Sequence, residues 1–146
     1  MSTVFSKIIA GEIPGTFVWA DDICVAFSTI EPISAGHVLV VPREEIAHFS
    51  DLPDDVAAHL AIVAARIGRA QRQAFDAPRS AIIVAGFEVP HTHLHVLPAW
   101  DEEHLTFANA TAASAGELRG AAEALRSQLV YNGWADLVPP IDSLGE

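Results

Sequence analysis

His91, His93 and His95 stand one residue apart in the run His91-Thr92-His93-Leu94-His95. In an extended chain successive side chains point to opposite faces, so three such imidazoles share one side within about 14 Å. Thr92, Leu94 and Val96 then face the other way and can join a core. Imidazole titrates near neutrality, and grouped imidazoles can do two kinds of chemistry. They can ligate a transition metal, in sites that normally add a carboxylate or a further histidine. Alternatively, a neutral imidazole attacks phosphorus and forms a labile N–P bond, while its neighbours donate to the phosphate oxygens. No carboxylate sits at close ligand spacing to the triplet. A binder or adaptor that holds a nucleotide without turning it over is a third reading.

The surrounding pattern predicts what holds these residues. Pro90 and Pro98 bracket a strand that contains the histidines. Thr16 to Ala20, Ile23 to Phe27, His37 to Val41 and Ser80 to Ala85 read as further strands, with a turn at Asp21-Asp22. Val4 to Ala10 reads as a short helix stopped by Gly11 and Pro14. Val56, Leu60, Val63, Ile67, Ala70 and Ala74 recur at helical spacing, which predicts a long helix from Pro53 to Phe75 with Asp51 as its cap. Ser114 with Glu117 predicts a capping box opening a second helix, whose face is Leu118, Ala122, Leu125 and Leu129. From Asn132 the chain reads as an irregular tail. Runs of strands with short connections argue for an α+β fold with an antiparallel sheet, not a βαβ fold.

The 146 residues fit one domain, 1–146, and the apolar fraction of 51% is enough for a core. A net charge of −11, from 8 basic and 19 acidic residues, argues against long nucleic acid and anionic membranes as partners. A small phosphorylated ligand needs only a local patch of donors. The single cysteine, Cys24, excludes an internal disulfide and a Cys-rich zinc site, and reads as a small apolar strand residue. The first residues do not read as a signal peptide, and no apolar run reaches the roughly 18 residues of a membrane span. A cytoplasmic location is the default expectation.

Pro90-His91-Thr92-His93-Leu94-His95-Val96-Leu97-Pro98 resembles the signature of the histidine triad (HIT) family. Ile33-Ser34-Ala35-Gly36-His37-Val38-Leu39-Val40-Val41-Pro42 is similar to that family's loop, Gly-His and apolar strand, in the right order upstream. Val4-Phe5-Ser6-Lys7-Ile8-Ile9-Ala10-Gly11-Glu12-Ile13-Pro14 is close to the N-terminus of its Hint-like branch.

The resemblance implies a HIT-like fold, an antiparallel sheet of about five strands with one long central helix and a C-terminal helix. It implies a hydrolase or transferase acting at a nucleotide α-phosphate through a nucleotidyl-histidine, most simply a purine nucleoside phosphoramidase. A dinucleoside polyphosphate hydrolase shares the first step. On this reading His93 is the nucleophile, His95 contacts the α-phosphate, His91 holds the ring of His93, and His37 belongs to the same cluster. Val4, Phe5, Ile8, Phe27, Thr29, Ile30 and Val89 take the nucleotide-binding positions. The ligand implied is an AMP- or GMP-type nucleotide, with no cofactor and no metal, in a homodimer. Thr29 stands where the family usually places an Asp, no Asn lies between Ser80 and Gly86, and Gly86-Phe87-Glu88-Val89 replaces a segment usually written with a Gln. Asp101-Glu102-Glu103 reads as a solvated acidic loop or as a rim favouring a cationic leaving group, and Trp100 and Trp134 as residues of a mouth or an interface.

Overall fold

The computed structural model describes residues 2–144. Helix α1 (Val4–Ile9) begins where the Thr3 hydroxyl accepts a hydrogen bond from the Ser6 amide. Five strands follow the predicted pattern: β1 (Phe17–Ala20), β2 (Cys24–Ser28), β3 (Val38–Pro42), β4 (Arg79–Ile83) and β5 (Leu94–Ala99). They form one antiparallel sheet in the order β1-β2-β3-β5-β4. Helix α2 (Asp54–Phe75) connects β3 to β4, and α3 (Ala115–Leu129) follows β5.

Alternation along the strands gives the sheet two different faces. Val38, Val40, Leu94 and Val96 point to one side, where Leu60, Val63 and Ile67 of α2 and Leu125 and Leu129 of α3 cover them. Each fully buried side chain of this size contributes about 1.5–3 kcal/mol. Leu39 and Val41 point to the other side and pack with Phe5, Phe17, Val25 and Phe27. The pairing Leu39↔His95 therefore puts His95 on the α1 face, and His37, two residues before Leu39, shares that parity.

Three expectations are corrected. Asp51 does not cap α2: it lies in a separate short turn, Phe49–Asp51, and Pro53 holds the cap position without a side-chain bond. The Pro53 carbonyl accepts from Ala57, and Asp54 and Asp55 supply negative charge to the first turn. The histidine strand is shorter than Pro90 to Pro98, because its ladder with β3 stops at Val40↔Leu94 and its ladder with β4 at Ile83↔His95, leaving residues 91–93 unpaired. The segment after Asn132 is docked, not loose. Trp134, Leu137, Val138 and Ile141 pack on the helix-side core, and the Phe17 amide donates to the Ile141 carbonyl at 2.8 Å. Trp134 is half-buried against Trp19, with ring centres 6.0 Å apart, and the Arg66 guanidinium stands 4.0 Å from the Trp134 ring centre. The capping box at Ser114 and Glu117 is present as the spacing requires.

Candidate active site

Four imidazoles gather on the α1 face, and backbone groups dictate the tautomer of each. Pro42 has only a carbonyl to offer the His91 Nε2 at 2.7 Å, so that nitrogen carries the proton. The other nitrogen, Nδ1, then accepts from the Thr3 hydroxyl at 2.8 Å. The His91 carbonyl accepts from His93 Nδ1 at 2.7 Å, which leaves His93 Nε2 with a free lone pair. On the loop before β3, the Ile33 amide donates to His37 Nδ1 at 3.0 Å. His37 Nε2 must then donate to His95 Nδ1, also at 3.0 Å. The proton of His95 is thereby placed on Nε2. His93 and His95 have ring centres 4.9 Å apart. One thus presents a nucleophilic nitrogen and its neighbour presents a donor.

Burial lowers the pKa of three of these rings, His37, His93 and His95. His91 is completely buried and His37 is 2% exposed. Burial, then the nearby His95, pulls the His37 pKa down to about 3. Burial and the nearby His93 bring His95 to about 4, and burial lowers His93 as well. A histidine whose folded pKa lies below its unfolded value stabilises the fold only above that unfolded value, near 6.5. Stability is therefore lost as pH falls from about 6.5 toward 4, with each such imidazole contributing up to about 1.4 kcal/mol per pH unit. Urea midpoints measured from pH 7 to pH 4.5 should fall steadily. A level profile would contradict neutral burial of the cluster.

The remaining expected site residues fall into two groups. Phe5 lies 4.8 Å from the His93 ring, 5.8 Å from that of His91 and 5.6 Å from that of Phe27. Ile8 and Val89 pack on the same apolar cluster. Phe5, Phe27, Ile8 and Val89 are thus brought together beside the nucleophilic imidazole. Val4 and Ile30 are exposed, Ile30 at 72%. Thr29 is half-buried and is tied to the site through its amide, which donates to the His37 carbonyl at 3.3 Å. Glu88 is exposed, as are Asp101, Glu102 and Glu103. Asp101 accepts from the His104 amide at 2.8 Å and so closes a turn.

Two further residues position the cluster, Gln71 outside any motif and Gly36 within the Gly-His motif. Gln71 of α2 is fully buried and donates to the Gly36 and Val96 carbonyls at 2.9 and 2.8 Å, while accepting from the Ser80 hydroxyl at 2.7 Å. It joins the His37 loop to the His95 strand. Gly36 has φ +89, and a Cβ there would collide with the Phe75 ring. Away from the triad, Asp21, Cys24 and His59 place their donor atoms within 4.8 Å of one another. Asp21 already accepts from Trp19 Nε1 at 2.9 Å and binds His59 Nε2 at 2.7 Å. Burial raises the Cys24 thiol pKa, so the residue stays a protonated, apolar strand residue.

An antiparallel sheet with three alternating imidazoles on and just before β5 and a fourth from the loop that enters β3, beside an apolar cluster, defines a protein of the histidine triad class. The HIT domain model matches residues 10–102, and the chain belongs to this family. It is 35% identical over 113 residues to an uncharacterised HIT-like protein of Mycobacterium tuberculosis, covering 74% of this chain and 78% of that one. It is 30% identical over 105 residues to an adenosine 5'-monophosphoramidase of Schizosaccharomyces pombe, covering 71% of this chain and 79% of that one. Among solved structures, a zinc-bound histidine triad family protein of Mycobacterium smegmatis superimposes with a TM-score of 0.79 at 28% identity, covering 92% of this chain and 98% of that one. No helix among the described residues is long and apolar enough to cross a membrane.

Proposed function

We propose that this protein is a nucleoside phosphoramidase that attacks the α-phosphate of an AMP- or GMP-type nucleotide with His93. The observation that carries the reading is the enforced tautomer of His93: its Nδ1 proton is held by the His91 carbonyl, leaving Nε2 free beside the Nε2 donor of His95. In the first step the His93 lone pair forms an N–P bond. The amine nitrogen of the substrate takes a proton from solvent, the P–N bond breaks with its pair on that nitrogen, and a neutral amine departs. His93 is then a cationic phosphoimidazole whose Nδ1 proton remains bonded to the His91 carbonyl. His95 Nε2 donates to a phosphate oxygen as charge develops there. In the second step water attacks phosphorus, the pair returns to His93 Nε2, and the water proton goes to solvent. The fixed backbone supplies orientation throughout.

The apolar group of Phe5, Ile8, Phe27 and Val89 is suited to the base, and Thr29 offers a hydroxyl toward ribose. A catalytic metal reading has less support. His91 and His37 have both ring nitrogens committed, so only two nitrogens of the cluster remain free, one fewer than the three protein ligands of a catalytic zinc site. We also infer a homodimer. Strand β4 is a sheet edge with Ile82 exposed, and pairing with a second copy would cover it.

The test is the intact mass of protein mixed with an adenosine phosphoramidate and quenched in the steady state. One adenylyl group should be added, should map to His93, and should be absent in His93→Ala. Tight AMP binding with no adduct and no turnover would overturn the enzymatic reading in favour of a binder.

A further inference from the structure

After β5 the chain crosses back over the site as a strap, residues 100–113. It is fastened at three places to the loop that carries His37. His104 Nε2 donates to the Ile33 carbonyl at 3.2 Å, and the Thr111 and Ala113 amides donate to the Pro32 and Ile30 carbonyls at 3.3 and 3.2 Å. Within the strap, Thr106 caps a short turn, Phe107–Asn109, and Asn109 Nδ2 returns a bond to the His104 carbonyl at 3.0 Å. This bracing holds Phe107 against His95, with ring centres 4.8 Å apart. Phe107 nevertheless remains 46% exposed. Phe107 thus combines a fixed contact with His95 and an apolar face open to solvent beside the imidazoles.

The rings touch in succession, Phe5 on His93, His93 on His95 and His95 on Phe107, with centres 4.8, 4.9 and 4.8 Å apart. On the proposed function, on which this inference rests, the nucleoside lies at the Phe5 end. An in-line attack by His93 Nε2 expels the departing group on the side of phosphorus away from that nitrogen, and the His95 Nε2 donor is the imidazole group left to meet the phosphate there. The ring on the far side of His95 is Phe107.

We infer that Phe107 forms the leaving-group subsite and gives the enzyme a preference for phosphoramidates whose amine carries an apolar, aromatic-bearing chain. The bond that breaks is the substrate P–N bond described above, its pair staying on the amine nitrogen, so Phe107 takes no proton and no electrons. It is a specificity residue that contacts the departing amine. The exposed acids Glu102 and Glu103 on the same strap suit an amine that becomes protonated after release.

The experiment measures kcat/KM for adenosine 5'-phosphoramidate, which releases ammonia, and for its N-(2-phenylethyl) derivative. The native protein should prefer the phenylethyl substrate, and Phe107→Ala should reduce that preference about tenfold. Phe107→Trp should retain it. A residue that merely braces His95 would lower both values together and leave their ratio unchanged. That result, with turnover intact, overturns the inference and spares the proposed function. A changed ratio between adenosine and guanosine phosphoramidates, with no change between the two amines, would place Phe107 at the nucleoside end and also overturn it. Absence of turnover of both substrates by the native protein overturns the proposed function and the Phe107 assignment together.

Discussion

Replacing His93 by alanine should lower kcat for an adenosine phosphoramidate by at least about three orders of magnitude, with circular dichroism and the unfolding midpoint changed little. The imidazole is the group offered to phosphorus, and nothing within the cluster can take its place. His91 and His37 have both nitrogens committed, and His95 has its Nδ1 committed to His37 and its proton on Nε2. Removing the ring, which is 7% exposed, leaves Phe5 and His95 facing a small cavity, a packing loss confined to one side chain. The companion variant His93→Gln separates nucleophile from shape, because an amide can fill the space and hydrogen-bond but cannot form the N–P bond. It should be as inactive as alanine. Turnover by either variant within about tenfold of the native protein would remove His93 from the chemistry.

The parity of the strands made much of this arrangement readable from the chain alone. Spacing placed Leu94 and Val96 in the core opposite His95, and the same alternation ties His37 to Leu39. Helical spacing gave the buried faces of α2 and α3, and Ser114 with Glu117 marked where α3 begins. The tautomers were not readable, because their determinants are main-chain groups: the carbonyls of Pro42 and His91 and the amide of Ile33. Any residue offers such groups, so no side-chain pattern announces them. Thr3 was hidden for a related reason. It reads as a helix cap, and it is one, but the same hydroxyl also reaches His91 across a gap of 88 residues. Phe107 stood in a stretch without periodicity, and only the fold of the strap brings it to His95. The tail beyond Asn132 misled in the opposite direction. Its apolar residues Trp134, Leu137, Val138 and Ile141 stand at i, i+3, i+4 and i+7, but Gly133, Pro139 and Pro140 interrupt that helical spacing, and each still finds a place on the core.

Gln71 did leave a trace in the sequence, and its replacement carries the second large expected effect. It lies four residues after Ile67 on the apolar face of α2, where a polar side chain is out of place unless it is fully bonded. Gln71→Leu keeps the volume and removes three hydrogen bonds at once. The Ser80 hydroxyl can turn toward another acceptor, but the Gly36 and Val96 carbonyls lose their side-chain donor within the core. The cost should be about 2–4 kcal/mol in urea unfolding, at one to a few kcal/mol for each buried group left unpaired. Activity should fall by more than the unfolded fraction explains, since the two carbonyls belong to the loop of His37 and the strand of His95. Loosening them disturbs the His37–His95 bond and with it the placement of the Nε2 proton beside His93. Gln71→Glu separates the two effects: it keeps an acceptor for Ser80 but offers no N–H pair to the carbonyls. It should therefore resemble leucine in stability and in activity. A glutamate variant as stable and active as the native protein would show that the bridge between loop and strand does not hold the site.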